Sequence, residues 1–218
     1  MMQHRGVTGQ PIATRSGDSF VDRMRRITGG MLDEGALVTL NCRINGGRAP
    51  WFALRVWTGR EKAVEYSLES MGIRSLVPMR KGPDLRRRHR IIEGTMMPVI
   101  HGYVLVQMVP QPEYLAGLQG LEDAIDVLGG CESPMRISDK EVSRFNALAT
   151  GGTYDSERSV DLLVKAGETV WITAGPFNNQ KAIVVTPNRK GRGDVVVAVH
   201  FMGGEVPVTV PLALLGKL

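Results

Sequence analysis

A strand whose two alternate sets of side chains are both apolar must be covered on both faces, and residues 103–109 form such a strand. In Tyr103-Val104-Leu105-Val106-Gln107-Met108-Val109, one face carries Tyr103, Leu105 and Val109, and the other carries Val104, Val106 and Met108. Side chains alternate with a period of two along a strand, so neither set can be left in water. The pattern predicts a central strand with a layer packed on each side. Pro98 and Gly102 set off the segment Val99-Ile100-His101 just before it.

The elements around this strand can be read from local signals. Trp51-Phe52-Ala53-Leu54-Arg55-Val56-Trp57 is aromatic and β-prone, a first strand. Thr58-Gly59-Arg60-Glu61 fits a capping box, with the Thr58 and Glu61 side chains each bonding the other's backbone N–H. The helix after it aligns Val64, Leu68 and Met71 on one stripe, and Gly72 suits the residue past its end. Ile73 to Met79 is a second strand, with Pro78 marking an edge or an end. Pro112 to Leu118 is a short helix, and Ala124 to Leu128 a fourth strand. Ser138-Asp139-Lys140-Glu141 is a second capping box, ahead of Val142, Phe145 and Leu148 on one helical side. The order predicts an α+β domain, with flanking helices on an antiparallel-rich sheet.

The rest of the chain differs in texture. Residues 1–49 have no sustained period and are read as a largely disordered basic extension, with at most a short helix at Val21 to Ile27 and a short strand at Leu37 to Ile44. Residues 50–148 are the α+β domain, 149–160 a flexible linker, and 161–218 a second domain. In that second domain Thr169 to Thr173, Lys181 to Thr186, Asp194 to Phe201 and Glu205 to Val210 read as short strands between Gly-rich turns, which predicts a small all-β barrel, of the SH3-like type by the family resemblance given below.

Charge narrows the function. The chain carries +5, yet residues 50–148 hold thirteen Lys/Arg against twelve Asp/Glu. Six of those thirteen cations lie between Arg80 and Arg90, so the rest of the domain is acidic. Such a run is either a solvated loop or a phosphate contact, since Arg takes phosphate in forked geometry. It contains no aromatic residue, so base stacking is not expected. No run of about 18 apolar residues occurs, which predicts no membrane span. The N-terminus lacks the apolar core of a signal peptide, and Cys42 and Cys131 are read as reduced thiols of a cytoplasmic protein. The scattered His4, His89, His101 and His200 complete no catalytic set or metal cluster, so no catalytic residue, metal or cofactor is expected.

Taken together, the ordered motifs resemble the NusG family of transcription elongation factors. The resemblance covers roughly Pro50 to Leu218. It rests on Trp51-Phe52 with Arg55-Val56, on Gly59-Arg60-Glu61, and on Gly102-Tyr103-Val104-Leu105-Val106. Gly129-Gly130, Ile137-Ser138-Asp139-Lys140-Glu141-Val142, Gly175-Pro176-Phe177 and Pro207-Val208 continue it, the last two marking a KOW-type barrel. The resemblance implies an N-terminal NGN domain that sits on the clamp helices of RNA polymerase through Phe52, Ile100, His101 and Tyr103. It places Arg86, Arg87, Arg88 and Arg90 toward upstream or non-template DNA. It implies a barrel that binds Rho or a small-subunit ribosomal protein through Phe177, His200 and Phe201. The protein is expected to be a monomer and not an enzyme.

Three departures from the family pattern suggest a specialised paralogue closer in role to RfaH. Ile100-His101 replaces Phe-Pro, Ala182 stands where Gly is usual, and an aromatic near Gln180 is missing. Val195-Val196-Val197-Ala198-Val199 is strand material, so the barrel is expected to stay β and to leave the Tyr103 surface unmasked. The competing reading is a translation-linked RNA- or ribosome-binding KOW protein without polymerase contact.

Overall fold

The computed structural model describes residues 20–87, 90–188, 191, 193–201 and 204–217, with backbone alone at 20, 21, 86, 87 and 201. The chain opens on α1 (Phe20–Ile44), followed by β1 (Trp51–Val56), α2 (Glu61–Ser70), β2 (Ser75–Leu76) and β3 (Met79–Lys81). A hairpin of β4 (Leu85–Arg87) and β5 (Arg90–Ile92) precedes β6 (Met96–Pro98) and β7 (Tyr103–Gln107). Then come α3 (Pro112–Gln119), β8 (Ala124–Val127) and α4 (Asp139–Thr150). The second domain is all β: β9 (Thr169–Ile172), β10 (Lys181–Thr186), β11 (Asp194–Phe201), β12 (Gly204–Pro211), a single 3-10 turn (Leu212–Leu214) and β13 (Leu215–Lys217).

The two-faced run is the structural centre. β7 lies inside the antiparallel sheet β2-β7-β1-β8, paired with β1 from Trp51 opposite Gln107 to Arg55 opposite Tyr103. All five of its residues are buried. Val104, Val106 and Met108 join Phe52, Leu54 and Val56 on the face covered by α1, α2 and α3. Tyr103 and Leu105 join Trp51 and Ala53 on the other face, under Val142 and Phe145 of α4. That second core layer does not stop at the domain: it runs on through Val170, Ile172, Phe177 and Leu214 of the barrel.

The barrel strands follow the expected spans closely, as a five-stranded antiparallel sheet in the order β12-β11-β10-β9-β13. Val195, Val197 and Val199 alternate inward along β11. Ala182 lies within β10, opposite Val199 and Val170, and not at a turn.

Three local expectations are corrected. Residues 20–44 are one helix, so neither the loose extension nor the Leu37 to Ile44 strand describes them; residues 1–19 lie outside the described residues. α1 packs its Leu32, Gly35 and Thr39 side against α3 and the end of β7, where Thr39 Oγ1 accepts the Val109 N–H at 2.9 Å. The Thr58 capping box does not form: α2 starts from Arg60 with no side-chain cap, because the Glu61 carboxylate is bound elsewhere. The strand expected from Ile73 to Met79 is broken at Val77-Pro78 into β2 and β3, which belong to different sheets. The Ser138 cap does form, its Oγ accepting the Glu141 N–H at 3.2 Å.

Candidate functional site

The turn before β7 is held from three sides. Gly102 adopts φ +79°, a conformation that a side chain would strain. Its N–H donates to Glu61 Oε1 at 2.7 Å, and its carbonyl accepts from Val56 N–H at 2.8 Å. Val99 N–H donates to the Pro78 carbonyl at 2.9 Å. Glu61 is only 2% exposed, so its carboxylate serves the turn rather than solvent. Ile100 and Tyr103 therefore project from a fixed turn into the layer under α4, while His101 lies beside Arg55 and Trp57. Phe52 does not join them: it is buried in the opposite layer with Leu54 and Val56. Adjacent residues of a strand point to opposite faces, and Trp51 took the near one.

Tyr103 is 7% exposed, and its cover is the barrel. The Phe177 ring meets it edge-on, with centroids 5.2 Å apart and planes at 90°. Burial raises the Tyr103 hydroxyl pKa, with the nearby Arg55 acting the other way. The Gly175-Pro176-Phe177 turn is seated so closely that a Cβ on Gly175 would stand 3.1 Å from Phe145 and 3.3 Å from Ile100. Arg144 of α4 donates to the Thr173 carbonyl. The expectation of an unmasked Tyr103 surface is thus corrected: the barrel is β throughout, and it lies on that surface. Beside the aromatic pair, a cleft of about 360 Å³ opens between Arg55, Trp57 and His101 on one domain and Glu205 to Pro207 on the other.

The segment leaving α4 is fastened as well. Tyr154 is buried against Phe145, ring centroids 5.6 Å apart, and burial pushes its hydroxyl up to about 12. Arg80 of β3 is fully buried and binds Asp194 of the barrel through Nη2, at 2.6 and 2.7 Å to the two carboxylate oxygens. Sequence reasoning missed Arg80, Asp194, Tyr154 and Arg144. Arg80 stood inside a charge run, and nothing local ties it to a residue 114 positions away.

The remaining expected residues are dispersed. Arg87 pairs with Arg90 at the end of the β4–β5 hairpin, and Arg90 is exposed, as are Leu85, Ile91 and Ile92. Arg88 and the side chains of Arg86 and Arg87 lie outside the described residues. His200 is exposed at the end of β11, and the Phe201 side chain lies outside the described residues. Phe177 is wholly taken up by the domain contact. Among the described residues no group of three His, Cys, Asp or Glu could hold a metal, and no helix is long and apolar enough to cross a membrane.

Residues 49–146, the sheet domain with its turn and hairpin, match the family model described as "Transcription termination factor nusG". In its sheet domain the chain is similar to the NusG family. A Staphylococcus aureus (strain Mu50 / ATCC 700699) protein named "Transcription termination/antitermination protein NusG" is 26% identical over 184 residues, covering 79% of this chain and 97% of that one. The same figures hold for the protein of that name from strain N315. The solved structure described as "Domain interaction in Thermotoga maritima NusG" is 22% identical, with a TM-score of 0.39 over 78% of this chain and 98% of that one. For "Crystal Structure of MjSpt4:Spt5 complex conformation A" the identity is 16% and the TM-score 0.25, over 77% and 97%.

Proposed function

We propose that this protein is a NusG-family transcription termination/antitermination factor whose sheet domain docks on the clamp helices of RNA polymerase through Ile100, His101 and Tyr103. The barrel recruits a second protein, Rho or a small-subunit ribosomal protein, through Phe177, His200 and Phe201. The β4–β5 hairpin, with Arg86, Arg87, Arg88 and Arg90, contacts upstream or non-template DNA. No reaction of its own is involved: the factor works by holding partners together.

One observation carries this reading. The apolar surface around Tyr103 is already a protein-docking surface, because the chain's own Phe177 occupies it. An apolar patch that must meet an outside partner is best kept from water until then. Polymerase and barrel compete for one surface, and the second partner competes for the same Phe177. The closed chain is silent toward both, and its apparent affinity for either is lowered by the fraction that is open.

Capture of core RNA polymerase tests the reading. Phe177→Ala should bring down more polymerase than the parent chain, and Tyr103→Ala added to Phe177→Ala should bring down less than Phe177→Ala alone. Equal capture with and without Tyr103 sinks the assignment. Recovery of ribosomal RNA without polymerase would move the protein to the translation-linked class.

A further inference from the structure

The root of the basic hairpin is covered by carboxylates that come from outside the sheet domain. Arg80 gives both Nη2 hydrogens to Asp194. Its Nη1 donates to Ser156 Oγ at 2.9 Å and to the Tyr154 carbonyl at 3.2 Å, while its buried Nε has no partner. At the next residue the strap meets the backbone only, since the Lys81 ammonium pairs with Asp84 and Glu93 of the hairpin segment itself. Lys81 N–H donates to Asp155 Oδ1 at 2.9 Å, and its carbonyl accepts from Ser156 N–H at 3.0 Å. Further on, Asp84 N–H donates to Glu157 Oε1 at 3.3 Å. Asp155, Glu157 and Asp194 thus follow residues 80–84, the stretch that leads directly into the arginines of the β4–β5 hairpin.

A carboxylate on a guanidinium, followed by carboxylates on successive backbone N–H groups, offers what a phosphodiester backbone offers. Guanidinium takes carboxylate and phosphate with the same paired N–H donors. Asp194 belongs to the barrel and leaves with it when the domains part. A cation as deeply set as Arg80 is not left without an anion at low cost, so separation hands it to a new partner.

We propose that the strap of Asp155, Glu157 and Asp194 is an internal substitute for a nucleic-acid backbone, and that Arg80 binds phosphodiester once Asp194 has left it. The inference rests on the hairpin's role given under Proposed function, which it extends to Arg80 and couples to domain opening. Nucleic acid and barrel compete for one guanidinium. Contact with a phosphodiester chain at Arg80 therefore opens the molecule and frees Tyr103, and opening raises affinity for nucleic acid by the same factor.

The test uses the full chain, Asp194→Asn, Phe177→Ala, Phe177→Ala/Arg80→Gln and Arg86→Ala/Arg87→Ala. Each is titrated across a range of salt with a short random-sequence duplex DNA and, separately, with single-stranded RNA of matched length. Dyes on the two domains report their separation, and circular dichroism confirms folding. Asp194→Asn and Phe177→Ala should each bind about tenfold more tightly than the parent, within the usual range of coupling between sites. Nucleic acid should increase the interdomain distance of the parent chain. Arg80→Gln in the opened background should weaken binding and reduce the salt slope by about one. The arm that binds more tightly at matched salt identifies the nucleic acid. If no protein binds either probe, the hairpin's role and this inference fall together. If Arg86→Ala/Arg87→Ala loses binding while Asp194→Asn and Arg80→Gln match their parents, the hairpin's role stands and the strap is overturned. Should Arg80→Gln fail to fold, the parent decides: binding with no change in interdomain distance overturns the proposal.

Discussion

Phe177 stands edge-on to Tyr103 across the boundary between the two domains, at 5.2 Å between ring centroids. The contact is fully dry on the barrel side, where Phe177 has no exposure, and 7% of Tyr103 remains accessible. An edge-to-face aromatic pair adds about 0.5–1.5 kcal/mol beyond the area it buries. The apolar area removed from water adds more, and Arg80 with Asp194 ties the far end of the same boundary. Closure therefore has an aromatic anchor and an ionic one, beside the Arg144 contact with the Thr173 carbonyl.

The aromatic anchor can be removed alone. Truncating a buried Phe to Ala costs about 3–5 kcal/mol. Because that loss falls largely on the boundary, Phe177→Ala should separate the domains while both stay folded. Small-angle scattering should show a larger radius of gyration, with the far-ultraviolet spectrum unchanged. A compact Phe177→Ala chain would mean that the ionic anchor suffices.

The turn that presents Tyr103 depends on Glu61. Its buried carboxylate accepts the Gly102 N–H at 2.7 Å, and a buried donor left without a partner costs about 1–3 kcal/mol. Glu61→Ala should lower the free energy of unfolding by that amount and loosen the Ile100–Tyr103 turn, visible as faster amide exchange at Gly102. Glu61→Gln keeps an acceptor and should lose much less. Equal losses in the two variants would show that charge, not the hydrogen bond, is what matters.

What local chemistry decides was legible in the sequence, and what distant contacts decide was not. β7 announced itself because Val104 and Leu105 are both apolar, and the β10 and β11 spans because Gly and Pro bracket their valines. Ser138 was found because its cap lies three residues away. The Thr58 box failed for the opposite reason: Glu61 met a better donor, Gly102, forty-one positions on. α1 was missed because its buried side sets Gly35 and Thr39, one small and one polar, beside Leu32, which leaves no strong apolar period. Domain closure joins Arg80 to Asp194 and Tyr103 to Phe177, pairs that no window of neighbouring residues contains. The expected site suffered at the same point. Ile100 and Tyr103 are together as read, while Phe52 lies across the sheet.

The attachment of α1 offers a sharp test of packing. α1 crosses α3 at glycines: a Cβ on Gly120 would fall 2.2 Å from Thr28 Cγ2, and one on Gly35 would fall 2.9 Å from the Tyr114 ring. Overpacking of this kind costs about 1–3 kcal/mol. Gly35→Ala, lying deeper along the crossing, should release α1 without unfolding the sheet. Protease cleavage within residues 20–44 should then precede global unfolding, whereas the parent is cut in one step. The approach at Gly120 is closer still, 2.6 Å to the Cβ of the stiff, β-branched Thr28, so Gly120→Ala should have at least as large an effect.

Alkaline pH should open the molecule through its buried tyrosines. Burial raises the hydroxyls of both Tyr103 and Tyr154, the latter to about 12 against an ordinary value of 10.0. In each case the closed chain favours the neutral form, so between pH 10 and 12 it keeps a proton that the opened or unfolded chain releases. Stability rises with pH only where the unfolded state holds more protons, and here it holds fewer. The contribution is intact below pH 10 and is lost as pH climbs through the raised value. Interdomain distance should therefore increase in step with phenolate absorbance across that window. Tyr154→Phe keeps the ring against Phe145 and removes the titrating group, so its opening should shift to higher pH. A Tyr154→Phe profile that overlays the parent would assign the transition to other groups and leave Tyr154 as packing alone.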